Sequence, residues 1–228
     1  MKILIIRFSS IGDIVLTTPV VRCLKKQLPD VKIHFLTKTK FVEVLHNNPY
    51  LDRIYHIDEN ISEVISTLKK ENYDLIVDLH KNIRSTLIKL LLLKPTKTFN
   101  KLSLRKIILC KFHINLLPNI HIVDRYLNTV SYLNIKNDFQ GLDFFNIKED
   151  YRLPFDSNDY ISFAIGAKHF TKCLPSDKII EICKNIKDNI ILIGGDDERE
   201  KGDYIISKCS NALNMCGKLS LSETAKVI

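Results

Sequence analysis

The chain has 228 residues, of which 45% are hydrophobic and 26% are charged, a composition typical of a globular protein and not of a disordered or fibrous one. It contains no run of about eighteen apolar residues, so the sequence predicts no membrane-spanning helix. The six cysteines form no CxxC or Cys/His pattern, which favours reduced thiols in a cytosolic protein over zinc ligands or disulfides.

Strands and helices alternate through the first 135 residues. Strands are predicted at KILIIRF, VKIHFLT, DRIYHID and YDLIVDL, and helical patterns follow them over 13–28, 41–47, 61–71 and 82–93. This alternation predicts a parallel sheet with helices on both faces. A short strand over 96–99 and a helix over 121–133 would complete a first domain, residues 1–135.

Residues 136–158 are rich in Asn, Asp and turn residues, and their apolar residues follow neither the helical nor the strand period. This composition predicts a linker. A second series then begins with YISFAIG, a helix over 176–186, NIILIGG, a helix over 197–209 and a helix opening at LSETAKVI. Seventy residues with two clear strands are few for a doubly wound domain, which typically has on the order of 100 residues or more. We therefore expect residues 159–228 to be part of an incomplete second domain.

The loop after the first strand reads RFSSIGDIVLTTP. Ligands of open parallel sheets bind beyond the carboxyl ends of the strands, so this loop is where chemistry is expected. It offers the hydroxyls of Ser9 and Ser10, a glycine capable of a tight turn (Gly12) and a carboxylate at a helix start (Asp13). A helix N-cap explains Asp13 equally well. The absence of GxGxxG and GxxxxGK[ST] disfavours a dinucleotide site and a P-loop.

The sequence as a whole resembles glycosyltransferase family 9, the ADP-heptose:lipopolysaccharide heptosyltransferases. The resemblance lies in MKILIIRFSSIGDIVLTTPVVRCLKKQLPD, YDLIVDLH and HIVDRYL, and then in GAKHFTKCLP, IILIGGDDERE and CGKLSLSE, in the family's order. It implies a GT-B-like α/β fold with a Rossmann-like N-terminal domain on the acceptor side and a second, here incomplete, Rossmann-like domain that binds the sugar nucleotide.

The resemblance also implies a reaction. A heptose or related sugar would pass, with inversion, from an ADP-sugar to a lipopolysaccharide core or lipid-linked acceptor, with no cofactor and no metal. Asp13 would be the catalytic base that takes the proton of the acceptor hydroxyl while the sugar is oxocarbenium-like. Residues assigned to the acceptor side are Arg7, Ser9, Ser10, Gly12 and Arg84. For Arg84, an ordinary helix-surface arginine is the favoured interpretation.

On the donor side, the resemblance assigns the phosphates to Lys168, Thr171 and Lys172, which without it would be read as a solvated loop. Glu198 and Leu219 fall where the family contacts the nucleoside. The family continues into a DTGxxH segment that this sequence lacks, so the chain by itself is expected to transfer sugar weakly or not at all.

The net charge of +8 is concentrated in one segment. Residues 81–123 contain no Asp or Glu and nine basic residues, which are Lys81, Arg84, Lys89, Lys94, Lys97, Lys101, Arg105, Lys106 and Lys111. A solvated helical face is the ordinary explanation; an anionic membrane surface, a phosphorylated acceptor and nucleic acid are the functional ones.

With the resemblance, the membrane interpretation predicts a cytoplasmic protein that associates peripherally with the inner face of the inner membrane. Two alternatives remain. One is a nucleic-acid-binding protein, although the sequence has no helix-turn-helix, zinc-finger or RNP pattern. The other is a non-catalytic relative that binds a sugar nucleotide without transferring it.

Overall fold

The computed structural model describes residues 1–146, 151–152, 159–167 and 169–228. The chain divides into two compact units, Met1–Asn146 and Ile147–Ile228. Each unit is built on its own parallel sheet, which confirms the predicted α/β class. In the described residues, no helix has the length and apolar character needed to cross a membrane.

The first unit has a five-stranded sheet in the order β3-β2-β1-β4-β5. Its strands are β1 (Lys2–Ile6), β2 (Lys32–Lys38), β3 (Arg53–Ile57), β4 (Leu75–Asp78) and β5 (Thr96–Thr98). Its helices are α1 (Ile11–Val15), α2 (Thr18–Gln27), α3 (Ser62–Lys70), α4 (Ile83–Leu92), α5 (Ser103–Phe112) and α6 (Ile122–Leu127). The strand order reverses at β1, since β2 lies on one side of it and β4 on the other, and ligands of such sheets bind at this reversal.

Both faces of β1 are covered. Leu4 and Ile6 are fully buried in an apolar cluster to which α3 and α4 contribute. Ile3 and Ile5 point to the opposite face of the sheet and are also fully buried. A central strand covered on both faces explains the continuous apolar run ILII. The burial of this strand also fixes the position at which the following loop begins.

The helix predicted over 13–28 is in fact two helices, α1 and α2. Pro19 lies in the first turn of α2, where its missing N–H disrupts no helical hydrogen bond and where it favours a helix start. Thr17 donates its hydroxyl to the carbonyl of Ile14 at 2.6 Å. The break makes α1 a separate, five-residue helix that carries Asp13.

Other elements also differ from the prediction. The helix predicted over 41–47 is a 3-10 helix, Thr39–Leu45, and the one predicted over 121–133 is the shorter α6 followed by a 3-10 turn. No pattern in the sequence predicts α5, because its apolar residues do not form a single face, and the structure buries none of its residues.

Residues 136–146, assigned above to a linker, belong to the first unit. Arg22 of α2, 1% exposed, donates to both carboxylate oxygens of Asp138 at 2.8 Å, to Asp143 and to the carbonyl of Gly141. These bonds hold the segment against α2. The later part of the predicted linker, 147–150 and 153–158, lies outside the described residues.

The second unit has a three-stranded parallel sheet in the order β6-β7-β8. The strands are β6 (Tyr160–Ala164), β7 (Asn189–Ile193) and β8 (Ala212–Asn214), and the helices are α7 (Ser176–Asn185), α8 (Arg199–Ile206) and α9 (Leu221–Val227). The third strand, β8, is an addition to the two predicted strands. Its three residues are too few to give a recognisable pattern.

Glu71 joins three parts of the first unit at the amino edge of the sheet. Its carboxylate accepts hydrogen bonds from Lys2 Nζ at 2.8 Å, from the Tyr55 hydroxyl and from Arg53 Nη1 at 2.8 Å. The hydrogen bonds from Lys2 and Tyr55 lower the pKa of Glu71 from 4.5 to about 2. The ionised carboxylate therefore stabilises the folded unit.

This arrangement predicts an acid-dependent stability. Because the pKa is lower in the folded state, the stabilisation is complete above pH 4.5 and is lost as the pH falls towards 2. We expect Glu71→Gln to lower the free energy of unfolding by about 1–3 kcal/mol at pH 7 and by less at pH 3. Urea unfolding at both pH values measures the difference. An equal loss of unfolding free energy at pH 7 and at pH 3 would contradict a stabilising role for the negative charge of Glu71.

Candidate active site

Asp13 lies at the carboxyl edge of the first sheet, in the first turn of α1, just after β1. One of its oxygens, Oδ2, accepts hydrogen bonds from the Ser10 N–H at 3.2 Å and the Ser10 hydroxyl at 3.0 Å, and forms an ion pair with Arg7 at 2.8 Å. The other oxygen, Oδ1, has no hydrogen-bond partner among the described residues. The side chain is 42% exposed, so one carboxylate oxygen is fixed and the other is available.

Arg7 is the residue that fixes this carboxylate. It is 7% exposed, and its other two nitrogens donate to protein groups: Nε to the Ser9 carbonyl at 2.7 Å, and Nη1 to the Leu79 carbonyl at 2.7 Å and the Tyr126 hydroxyl at 2.9 Å. The prediction placed Arg7 beside an anionic acceptor. In the structure its guanidinium instead lies under the loop and binds Asp13, while the acceptor role stays a prediction.

These contacts determine the charge of Asp13. Burial alone would raise its pKa, but the positive charge of Arg7 and the hydrogen bonds from Ser10 outweigh it, and the pKa is lowered. Asp13 is therefore ionised at neutral pH. The N-cap and catalytic interpretations are not exclusive, because Ser10 is the N-cap residue and Asp13 completes its capping box.

The loop from β4 to α4 borders the same edge and is organised by Asp78, which is fully buried. Asp78 accepts hydrogen bonds from the backbone N–H groups of His80 and Lys81 and from the Ser85 hydroxyl, and it pairs with Lys89 at 2.7 Å. All of these partners are protein groups. Asp78, the second aspartate of YDLIVDLH, is thus a structural residue that shapes the loop.

Two residues that the sequence did not assign to this site, His80 and Lys101, interact electrostatically with Asp13. Burial and the positive charges of Arg7 and Lys101 lower the pKa of His80 to about 4, so this ring is neutral at pH 7. The ring packs edge-on against Phe8, and its buried Nδ1 has no partner in the described part of the chain. Burial and the charge of Arg7 lower the pKa of Lys101. The sequence feature that could have indicated these two residues is their position, since each follows a predicted strand of the sheet, β4 or β5.

The other residues assigned to the acceptor side lie in different environments. Ser10 contacts Asp13, whereas Ser9 contributes its backbone carbonyl to Arg7. Gly12 has no positive φ, and a Cβ built on it would meet no atom within 4 Å. The tight turn expected of Gly12 is therefore absent, and the glycine leaves open space beside Asp13. Arg84 lies on α4 and donates to the Asp58 carbonyl at 3.3 Å, after β3.

In the second unit, the loop after β6 carries the predicted phosphate residues. Thr171 and Lys172 lie in a 3-10 turn, Phe170–Lys172, and their side chains are exposed and have no hydrogen-bond partners in the described residues. Lys168 lies outside the described residues. Lys201 of α8, which the sequence did not indicate, donates to the carbonyls of Ile165 and Leu174 at 3.0 and 2.8 Å and so ties both ends of this loop to α8.

Glu198 lies at the carboxyl edge of the second sheet, where β6 and β7 end. Its Oε2 accepts from the Gly195 N–H at 2.8 Å. A Cβ on Gly166 would lie 2.3 Å from Glu198 Cδ, and one on Gly194 would lie 2.8 Å from its Cβ. Gly194 is therefore needed for this close approach, whereas at Gly166 the end of the flexible Glu198 side chain could move aside. The position is compatible with a ligand at this edge, and the nucleoside contact stays a prediction.

Leu219 has a different environment. It is half-buried and packs against the apolar cluster of Ile191, Ile193 and Val227. This packing is a sufficient structural reason for a leucine, and its predicted nucleoside contact stays a prediction. In the part of the chain that the structure describes, no three His, Cys, Asp or Glu side chains are grouped to hold a metal ion.

Comparisons with known proteins agree on the family. The sequence profile of glycosyltransferase family 9 (heptosyltransferase) matches residues 61–228. Lipopolysaccharide heptosyltransferase 1 of Campylobacter coli is 30% identical over 210 residues, which are 88% of this chain and 56% of that protein. Lipopolysaccharide heptosyltransferase 3 of Escherichia coli K12 is 28% identical over 192 residues, 75% of this chain and 56% of that protein. The chain thus spans about half the length of these relatives.

Solved structures agree on the fold. A family 9 glycosyl transferase from Veillonella parvula superposes with a TM-score of 0.78 at 20% identity, over 97% of this chain and 70% of that one. The E. coli heptosyltransferase WaaC with ADP-2-deoxy-2-fluoro heptose gives 0.75 at 18% identity, over 100% of this chain and 79% of that one. The parallel-sheet units therefore have the GT-B-like fold of these enzymes, and the chain belongs to glycosyltransferase family 9.

Proposed function

We propose that this chain is the acceptor-side domain and part of the donor domain of an inverting heptosyltransferase, which transfers a heptose or related sugar from an ADP-sugar to a lipopolysaccharide core or lipid-linked acceptor. The observation that carries the proposal is Asp13, an ionised carboxylate at the carboxyl edge of β1 with one oxygen held by Arg7 and Ser10 and the other free. Membership of family 9 supports the reaction class.

In this reaction Asp13 has to accept one proton from the acceptor hydroxyl. The acceptor hydroxyl becomes acidic as its oxygen bonds to the oxocarbenium-like sugar carbon, so a carboxylate of low pKa can accept the proton at that stage. Oδ1 is the oxygen free to accept it, while Arg7 and Ser10 hold the carboxylate in position. On departure of the nucleoside diphosphate, negative charge develops on its phosphates. Thr171 and Lys172, exposed on the loop after β6, are proposed to bind it.

Sugar-nucleotide binding tests the donor side. We expect the product of the complete reading frame to bind an ADP-sugar in calorimetry, and Lys172→Ala to weaken that binding while a surface change on α7, Lys184→Ala, does not. Salt-sensitive binding of DNA or RNA without any binding of ADP-sugars would favour the nucleic-acid alternative. Binding of the ADP-sugar without transfer to any acceptor would favour the non-catalytic relative.

Gly12 provides a test of the acceptor side. A methyl group here meets no protein atom and replaces glycine within a helix, so Gly12→Ala is expected to keep or raise stability, by up to about 1 kcal/mol. If the open space beside Asp13 receives the acceptor, the methyl group obstructs it, and we expect KM for the acceptor to rise about tenfold. Steady-state kinetics combined with urea unfolding would show this. An unchanged KM would mean that the acceptor binds elsewhere.

A further inference from the structure

The outer face of α4 is apolar. Its inward face packs into the core of the first sheet. On the opposite face, Ile83, Leu87 and Leu90 follow one another at helical spacing, and they are 89%, 44% and 63% exposed. These three side chains border a shallow groove of about 450 Å³. The outer face of a helix in a globular domain is ordinarily polar, so this stripe requires an explanation.

Exposed apolar side chains continue beyond α4. Leu104 and Phe112 of α5 are 77% and 65% exposed, and α5 buries none of its residues. The segment after α5 exposes three more side chains, Ile114, Leu116 and Ile120, each to about half. Apolar side chains are thus exposed on α4, on α5 and on the segment after it, and exposed apolar surface of this extent marks a region that contacts something other than water.

The same stretch of chain, residues 81–123, is strongly cationic. It holds nine basic residues and no acidic one. Among the described residues, Lys89 is the member of this set that forms an ion pair, with the buried Asp78. The side chains of Lys81, Lys106 and Lys111 are exposed, and their ammonium groups have no hydrogen-bond or ion-pair partner in the described part of the chain. The apolar side chains are therefore accompanied by cations whose charge is not neutralised by the protein.

We propose that residues 81–123, hereafter the docking segment, bind the surface of an anionic lipid bilayer. Exposed leucine and isoleucine side chains would enter the boundary between headgroups and acyl chains, and the lysines would bind lipid phosphates. Aliphatic side chains combined with free cations match this surface. A single-stranded nucleic acid would instead require aromatic side chains for stacking, and Phe112 is the one exposed Phe, Tyr or Trp among residues 81–123.

The inference deepens the proposed function, since a bilayer carrying the acceptor would be bound through the docking segment. It can be tested separately from catalysis. Flotation of the purified chain with vesicles of neutral phosphatidylcholine, and of phosphatidylcholine containing 30% phosphatidylglycerol, measures binding directly. We expect binding to the anionic vesicles that weakens with added salt, and little binding to the neutral ones.

Two pairs of substitutions identify the surface. Lys106→Gln/Lys111→Gln is expected to weaken binding to anionic vesicles about 30-fold, which is about fivefold for each lysine. Leu90→Ser/Leu104→Ser is expected to abolish the binding that persists at high salt. Matched controls lie in the second unit: Lys184→Gln/Lys187→Gln makes the same charge change at exposed positions, and Ile182→Ser changes a side chain that is 39% exposed. Both controls should bind as the unaltered chain does.

Several outcomes would overturn the proposal. These are equal binding to neutral and anionic vesicles, equal losses in the control variants, or no vesicle binding at all. Self-association that Leu90→Ser/Leu104→Ser abolishes, in the absence of vesicle binding, would show that a second copy covers the surface. RNA binding lost in the lysine variant, again without vesicle binding, would assign it to nucleic acid. Asp13→Asn should bind vesicles normally, so failure of the catalytic assignment leaves this result unaffected.

Discussion

Replacing Asp13 by asparagine is expected to lower the turnover of sugar transfer by about 10²- to 10⁴-fold, the range that a positioned general base contributes. The substitution preserves the size of the side chain, and an amide oxygen can still accept the hydrogen bonds from Ser10. It removes the charged oxygen that would accept the acceptor proton. The measurement is kcat at saturating ADP-sugar and lipid-linked acceptor, using the product of the complete reading frame.

The controls separate catalysis from folding and binding. Asp30→Asn makes the same chemical change at an exposed turn before β2, at the opposite edge of the sheet, and should leave kcat unaltered. Affinity of Asp13→Asn for the ADP-sugar, measured by calorimetry, should equal that of the unaltered protein. Full transfer by Asp13→Asn would end the assignment of Asp13 as the base. Loss of donor affinity in step with the rate would instead assign Asp13 to binding.

The fold could be predicted from the sequence where one local pattern determined the outcome. Continuous apolar runs such as ILII exist because both faces of the strand are covered, and such runs indicated β1 and β4 directly. Elements without such a pattern were missed. β8 is three residues long, and α5 has no buried face from which a helical period could arise. Pro19 is a sequence signal for a helix start, but the prediction did not use it and placed one helix where the structure has two.

For the site, the sequence indicated the loop and the carboxylate but not the contacts between distant residues. SSIGD pointed to Asp13, and its capping box with Ser10 is local. That Arg7 would hold the carboxylate from below depends on Leu79 and Tyr126, which accept from its guanidinium and lie 72 and 119 residues away along the chain. No local pattern encodes such pairs. The same reason explains why His80 was not recognised as a neighbour of Asp13.

The segment 136–146 shows how composition misleads when charges are paired. Its Asn and Asp residues gave it the polar character of a linker. Two of those acids, Asp138 and Asp143, are 17% and 14% exposed because Arg22 binds them. The hydrogen bonds from Arg22 lower the pKa of Asp138. A sequence search finds the acids but not their partner, which lies 116 and 121 residues away.

This ion-paired group leads to the second large prediction. Arg22→Met is expected to lower the free energy of unfolding of the first unit by about 3–5 kcal/mol, because removing one partner leaves largely buried carboxylates uncompensated. Urea unfolding monitored by circular dichroism would measure the loss. A destabilised 136–146 segment should also become more susceptible to proteolysis than the rest of the first unit, since its remaining attachment to α2 is weakened.

Two further variants test the physical cause. Arg22→Lys keeps the charge and loses the planar fork that binds both oxygens of Asp138, so its loss of stability should be smaller. In the triple variant Arg22→Met/Asp138→Asn/Asp143→Asn no charge is left unpaired, and much of the stability should return even though every ion pair is gone. If the triple variant is instead the least stable of the three, the ion pairs themselves, and not the penalty for stranded carboxylates, hold residues 136–146 to α2.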